Sequence, residues 1–157
     1  MPPEPPLRLF FDECIGKPMI DRLVTFFAND PDAPIISSIF AEQWNGKADS
    51  EWFPEIVRGG WIPVSVDQGR KRSRGPALPD LCEEARIAHV LGSVAFHQRK
   101  QQDKLLLFSG VWPALRTSLE LSTHGERIII QLTPKQTPTL KILQPPFKRP
   151  RRDDRQR

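Results

Sequence analysis

Cysteine is nearly absent from this chain: Cys14 and Cys82 are its only two among 157 residues. Their spacing builds neither a metal knuckle nor a disulfide framework, which makes a reducing cytoplasm the expected setting. Histidine is also scarce, and His89, His97 and His124 share no spacing that suits a metal or a nucleophilic triad, so no chemistry is assigned to them. No apolar stretch approaches the roughly 20 residues a membrane span requires. No charged and apolar leader precedes Leu7, and a soluble intracellular protein is the expectation. The chain has no internal repeat, and no GxGxxG opens a helix after its first apolar run, which speaks against a dinucleotide enzyme.

Proline, in contrast, is abundant. Its 17 residues exceed the usual share of about 5%. They gather at the ends, in MPPEPP and LQPPFKRPRRDDRQR. Residues 1–6 therefore read as a disordered Pro-rich N-terminus and 144–157 as a basic disordered tail, leaving 7–143 as a single domain. A hydrophobic content of 38% with nine phenylalanines suffices for one core. The net charge of +4 and pI of 9.4 come from the tail and from one internal run, QGRKRSRGP, which points to an anionic partner.

Between the ends the hydrophobic period switches repeatedly. Leu7 to Phe11 is a short apolar run of the kind buried on both faces of a sheet, and it stops on Asp12 and Glu13. From Pro18 the apolar positions Ile20, Leu23, Val24, Phe26 and Phe27 recur at helical spacing, with a stop expected near Asn29. Ile35 to Phe40 predicts a second strand and Asp49 opens a second helix, closed by Gly59 and Gly60. Trp61 to Val66 predicts a third strand with Pro63 at its entrance, because proline cannot donate to a ladder. A helix from Leu78 to about Arg86 and a strand from Ile87 to Leu91 follow. The remainder predicts a helical stretch from Val94 to Leu121 broken near Trp112 and Pro113, then a terminal β pair, Ile128 to Leu132 and Leu140 to Leu143. This alternation predicts an α/β fold, a parallel sheet sandwiched by helices, with the C-terminal helical stretch and β pair appended.

In such sheets ligands bind beyond the carboxyl ends of the strands. Asp12 ends the first strand and Asp67 follows the third, while Asp49 reaches that edge only if the loop before it crosses back. Carboxylates gathered there repel one another unless a divalent cation neutralises them, which favours magnesium or manganese. The competing reading is local: Asp suits strand-end turns, and Asp49 suits the N-cap of its helix.

The stretches LFFDEC (9–14), ADSEW (48–52) and GWIPVSVD (60–67) together resemble the compact PIN-like domains, in particular the group that contains toxins of toxin-antitoxin pairs. The likeness covers about residues 7–92. It implies a metal-dependent nuclease acting on RNA in the cytoplasm, with Asp12, Asp49 and Asp67 as catalytic metal ligands, Glu13 and Glu51 as additional acids, and Ser65 orienting a carboxylate or water. It also implies an antitoxin partner. Full PIN domains present four acids, and past Asp67 none ends a strand; without a complete set, the same fold serves as a non-catalytic nucleic-acid or partner-binding module.

Arg70, Lys71, Arg72 and Arg74 follow Asp67 and suit a phosphate backbone, or equally an acidic partner. Trp44 either stacks an unpaired base or anchors its loop, and Trp52, Trp61 and Trp112 belong to the core. Cys14 is expected as a buried thiol behind the acids. A phosphatase of Asp-x-Asp type is set aside because Glu13 and Cys14 follow Asp12. A phosphoacceptor receiver is set aside because Gly92 and Ser93, not lysine, follow Leu91.

Overall fold

Every apolar run becomes a strand of one sheet, and every segment of helical period packs onto it. The computed structural model describes residues 4–66 and 77–147. Strands β1 (Arg8–Phe11), β2 (Ile35–Ser38), β3 (Ile62–Val66), β4 (His89–Gly92), β5 (Arg127–Leu132) and β6 (Pro138–Leu143) lie in the order β2-β1-β3-β4-β5-β6. The first five in chain order are parallel, and β6 returns antiparallel along β5, so the expected β pair extends the sheet. Helices α1 (Lys17–Phe27), α2 (Asp49–Gly59), α3 (Leu78–Ala85), α4 (Val94–His97) and α5 (Gln101–Glu120) fill the connections, giving the α/β class. Among the described residues no helix is long and apolar enough to cross a membrane.

Alternation along β1 divides the core. Leu9 and Phe11 face α1 and α5 and meet Leu23, Phe27, Phe108 and Leu115. Phe10 points the other way, to Trp52, Ile56, Leu78 and Cys82 on α2 and α3. Pro63 sits where expected: it pairs with Phe10 on β1, and the ladder to β4 begins one residue later at Val64.

The helical stretch after β4 breaks at residues 98–100, not at Trp112 and Pro113, and α5 runs straight through Pro113. A proline inside a helix costs about 3 kcal/mol in an isolated helix. Here packing offsets it: Trp112 is buried, stacks on Phe108, meets Phe27 edge-on, and donates its indole N–H to the Asp32 carbonyl at 3.3 Å.

The hand of the crossovers follows from these faces. The connections through α1, α2 and α3 share one hand, since α1 steps from β1 to β2 on one face while α2 and α3 step the opposite way on the other. The β4-to-β5 connection steps the same way as α3 but carries α5 on the α1 face, so its hand is reversed. Because such crossovers are right-handed in about 98% of cases, the last one is the exception.

On the opposite face of β5 the segment that follows β6 closes in. The Phe147 ring lies 3.9 Å beneath the Arg127 guanidinium and its N–H bonds Glu83 at 3.3 Å, so residues 144–147, expected in the tail, return to the body.

Gly125 shapes the entry to β5. Its φ is +76°, and a Cβ there would stand 2.7 Å from the Arg86 carbonyl carbon. Gly125→Ala combines backbone strain with a clash against main chain and is expected to cost about 2–5 kcal/mol in urea unfolding; a loss below about 1 kcal/mol would mean that the Arg86 turn yields freely.

Candidate acidic site at the switch point

β1 is the strand from which the order reverses. The chain leaves it for β2 on one side, then crosses back over it through α2 to reach β3 on the other. Ligands of doubly wound sheets sit outside the carboxyl ends at this point. Asp12 lies there: its N–H bonds the Val64 carbonyl at 3.0 Å, extending the ladder to β3 by one residue past the end of β1. The residue is buried, 6% exposed. Its Oδ1 accepts from the Glu13 N–H at 2.8 Å and its Oδ2 from the Cys14 thiol at 3.3 Å. Asp12 thus caps the short 3-10 turn Glu13–Ile15, and Cys14 is half-buried beside it instead of buried behind it.

Asp49 reaches the same edge, because α2 descends from the carboxyl ends of the strands toward the start of β3. The N-cap of α2 is Ala48, not Asp49, which occupies the first helical turn. Its Oδ2 instead accepts the Leu78 N–H at 3.1 Å. Leu78 opens α3 behind Ala77, which has no side-chain oxygen, so Asp49 satisfies a donor that this helix start would otherwise leave without a side-chain cap. One carboxylate therefore ties the N-termini of two helices together.

Glu13 and Glu51 are exposed, Glu13 in the 3-10 turn and Glu51 in the first turn of α2. Asp67 and the basic residues Arg70, Lys71, Arg72 and Arg74 lie outside the described residues. Among the described residues no three His, Cys, Asp or Glu side chains group as a cation site. The chemistry of Asp12 and Asp49, carboxylate oxygens held in fixed directions by neighbouring donors, suits a hard cation such as magnesium or manganese.

Ser65 meets a partner on the neighbouring strand. Its side chain points to the same face as Phe10, and its Oγ lies 2.7 Å from His89 Nε2 on β4. Both residues are buried. Burial first, and the Arg127 charge second, pull the imidazole down to about 3, so His89 is neutral at physiological pH. Arg127 stands opposite His89 in the β4–β5 register. Close by on α3, burial pushes the Cys82 thiol well above its usual range; Arg127 opposes that shift and Asp49 reinforces it, leaving the thiol protonated and unreactive. This polar layer under α2 and α3 joins residues 24 and more positions apart, and only the sheet register reveals it. Trp44 packs its loop onto the core, stacked 6.4 Å from Trp52 and tilted against Phe10 at 5.6 Å.

The arrangement defines a doubly wound α/β protein with aspartates at its switch point. The chain matches no protein-family model, no curated protein and no solved structure.

Proposed function

We propose that this chain is a metal-dependent endoribonuclease of PIN-like, toxin-like type. One observation carries the reading: Asp12 and Asp49 stand at the carboxyl edge of the sheet where strand order reverses, and β3 ends at Val66, immediately before Asp67 in sequence. Asp12, Asp49 and Asp67 are the residues to hold magnesium or manganese, with Glu13 and Glu51 as outer contributors. A cation bound there lowers the pKa of its water and stabilises charge developing on a scissile phosphate. Asp12 contributes a carboxylate whose direction is set by the Glu13 N–H and the Cys14 thiol. Asp49 contributes one whose direction is set by the Leu78 N–H. Arg70, Lys71, Arg72 and Arg74 would grip the RNA backbone without reading its sequence. In a toxin-like setting a small antitoxin covers the acidic edge.

A second reading has its own support. Asp12 and Asp49 both serve the backbone as caps, which a non-catalytic binding module would also need. Metal separates the two. The purified chain is expected to cut a mixed pool of structured RNAs in manganese or magnesium and not in chelator, and to gain about 2.7 kcal/mol of stability when the metal stands at a hundred times its Kd. RNA binding with neither metal-dependent cutting nor metal-linked stabilisation would leave the binding module.

A further inference from the structure

α5 opens among cations. Arg99 and Lys100 lie just before it and Lys104 in its first turn, against a single carboxylate there, Asp103. Lys100 is the N-cap and offers no side-chain oxygen, so the first-turn N–H groups have no side-chain cap. Open N–H groups and the helix dipole together attract anions.

Lys104 adds a charge aimed at this turn. It is only 8% exposed, on the buried stripe that continues through Phe108, Val111 and Leu115. Among the described residues its ammonium makes no ion pair, with Asp12, Glu13 and Asp49 included. Helical side chains lean toward the N-terminus, so this lysine lies back over the opening of α5. Its charge is felt there: burial first, and the Lys104 ammonium second, pull the His97 imidazole on α4 below its ordinary value. Arg99 brings another unsatisfied group, its Nε buried with no hydrogen-bond partner among the described residues. Burying a cation without a counter-charge costs stability, and a bound anion supplies that charge.

The turn also faces the candidate site. β4 ends at Gly92 on the carboxyl edge, α4 follows there, and α5 then descends toward the start of β5. Phe108 rests on Phe11 with ring centroids 5.9 Å apart, and Phe11 directly precedes Asp12. Lys104 is one turn nearer the helix start on the same stripe, about 6 Å along the axis, which carries it past the end of β1. We propose that the start of α5 is a phosphate subsite, where the first-turn N–H groups and the Lys104 ammonium hold a backbone phosphate of the RNA whose scissile bond lies at Asp12 and Asp49. The identity of this ligand rests on the ribonuclease reading, whereas the anion site stands on its own geometry.

The test is titration of the full chain in chelator with a uridine hexamer bearing hydroxyls at both ends, following the backbone N–H resonances of Gln101, Gln102 and Asp103 by NMR. Saturable shifts are expected. Lys104→Met should weaken binding about fivefold and flatten the dependence of log affinity on log salt by about 0.7. Methionine keeps an unbranched stem in the core and removes an uncompensated buried charge, so urea unfolding should show no loss of stability. Arg99→Gln, outside the helix, should weaken binding as well. Lys141→Gln removes the same charge from an exposed position on β6 and should change affinity by less than about twofold. Unmoved first-turn resonances, wild-type affinity and salt slope in Lys104→Met, or an equal loss in Lys141→Gln would overturn the subsite. Inorganic phosphate saturating the same resonances as tightly as the hexamer would also overturn it, making a small phosphate the ligand. RNA cut in manganese with these resonances unmoved would refute the subsite alone, and Lys104-dependent binding without metal-dependent cutting would refute the nuclease alone.

Discussion

Asp12→Asn is expected to remove metal-dependent RNA cleavage, by at least about a hundredfold, while the protein keeps its fold. Asparagine retains the oxygen that accepts the Glu13 N–H at the end of β1, and it caps about as well as aspartate, so unfolding free energy should change by less than about 1 kcal/mol. What it lacks is the charge a hard cation needs. Asp12→Ala would remove cap and ligand together and so confuse the two roles. The decisive comparison is cleavage in manganese by wild type and Asp12→Asn, with circular dichroism and urea unfolding on both. Undiminished cutting by a folded Asp12→Asn protein would remove Asp12 from the chemistry and the nuclease proposal with it. Asp49→Asn should lose cleavage too, and if its amide turns its nitrogen toward Leu78 it will also loosen the start of α3.

The second large effect is loss of stability in acid, driven by His89. Its folded pKa of about 3 lies below the ordinary 6.5, so the unfolded chain takes up the proton first. The stabilisation is complete above pH 6.5 and is lost as pH falls toward 3. Between pH 7.5 and 5.0 this one residue should cost about 2 kcal/mol of unfolding free energy. Glu126 acts in a lower window. Burial pushes its carboxyl up, but hydrogen bonds from the Ser122 hydroxyl, its own N–H and the N–H groups of His124 and Thr123 outweigh that and bring it to about 2. Its contribution is present above 4.5 and fades as pH falls to 2. Urea unfolding of wild type and His89→Gln at the two upper pH values isolates the histidine, since the glutamine amide extends as far as Nε2 toward Ser65 but carries no titrating ring. Equal pH dependence in the two proteins would refute the assignment.

The legible part of this fold is what local periodicity encodes. Leu9, Phe10 and Phe11 announce a strand buried on both faces, and the helical spacing from Ile20 to Phe27 announces α1, because each pattern is set by residues within one or two turns. The break after α4 was hidden because Pro113 is the louder signal, yet Trp112 packs well enough to carry the helix through it. Long-range pairings were not legible at all. Ser65 bonds a histidine on the next strand, and Asp49 caps a helix that begins 29 residues later. Asp12 and Asp67 stood out because apolar runs end on them, and Asp49 because it opens a helix; their hydrogen-bond partners depend on register, which no local pattern specifies.

The reversed crossover has a consequence for how the chain can be divided. All five acids of the candidate site lie before residue 68. The face of β1 that carries Leu9 and Phe11, however, is completed by Phe108, Val111 and Leu115, which arrive on α5. A fragment ending at β4 would contain every proposed ligand and would expose this apolar surface to water. The segment before β4 therefore leaves one apolar face of the sheet uncovered without α5, and a fragment that stops there is expected to be far less stable than the whole chain.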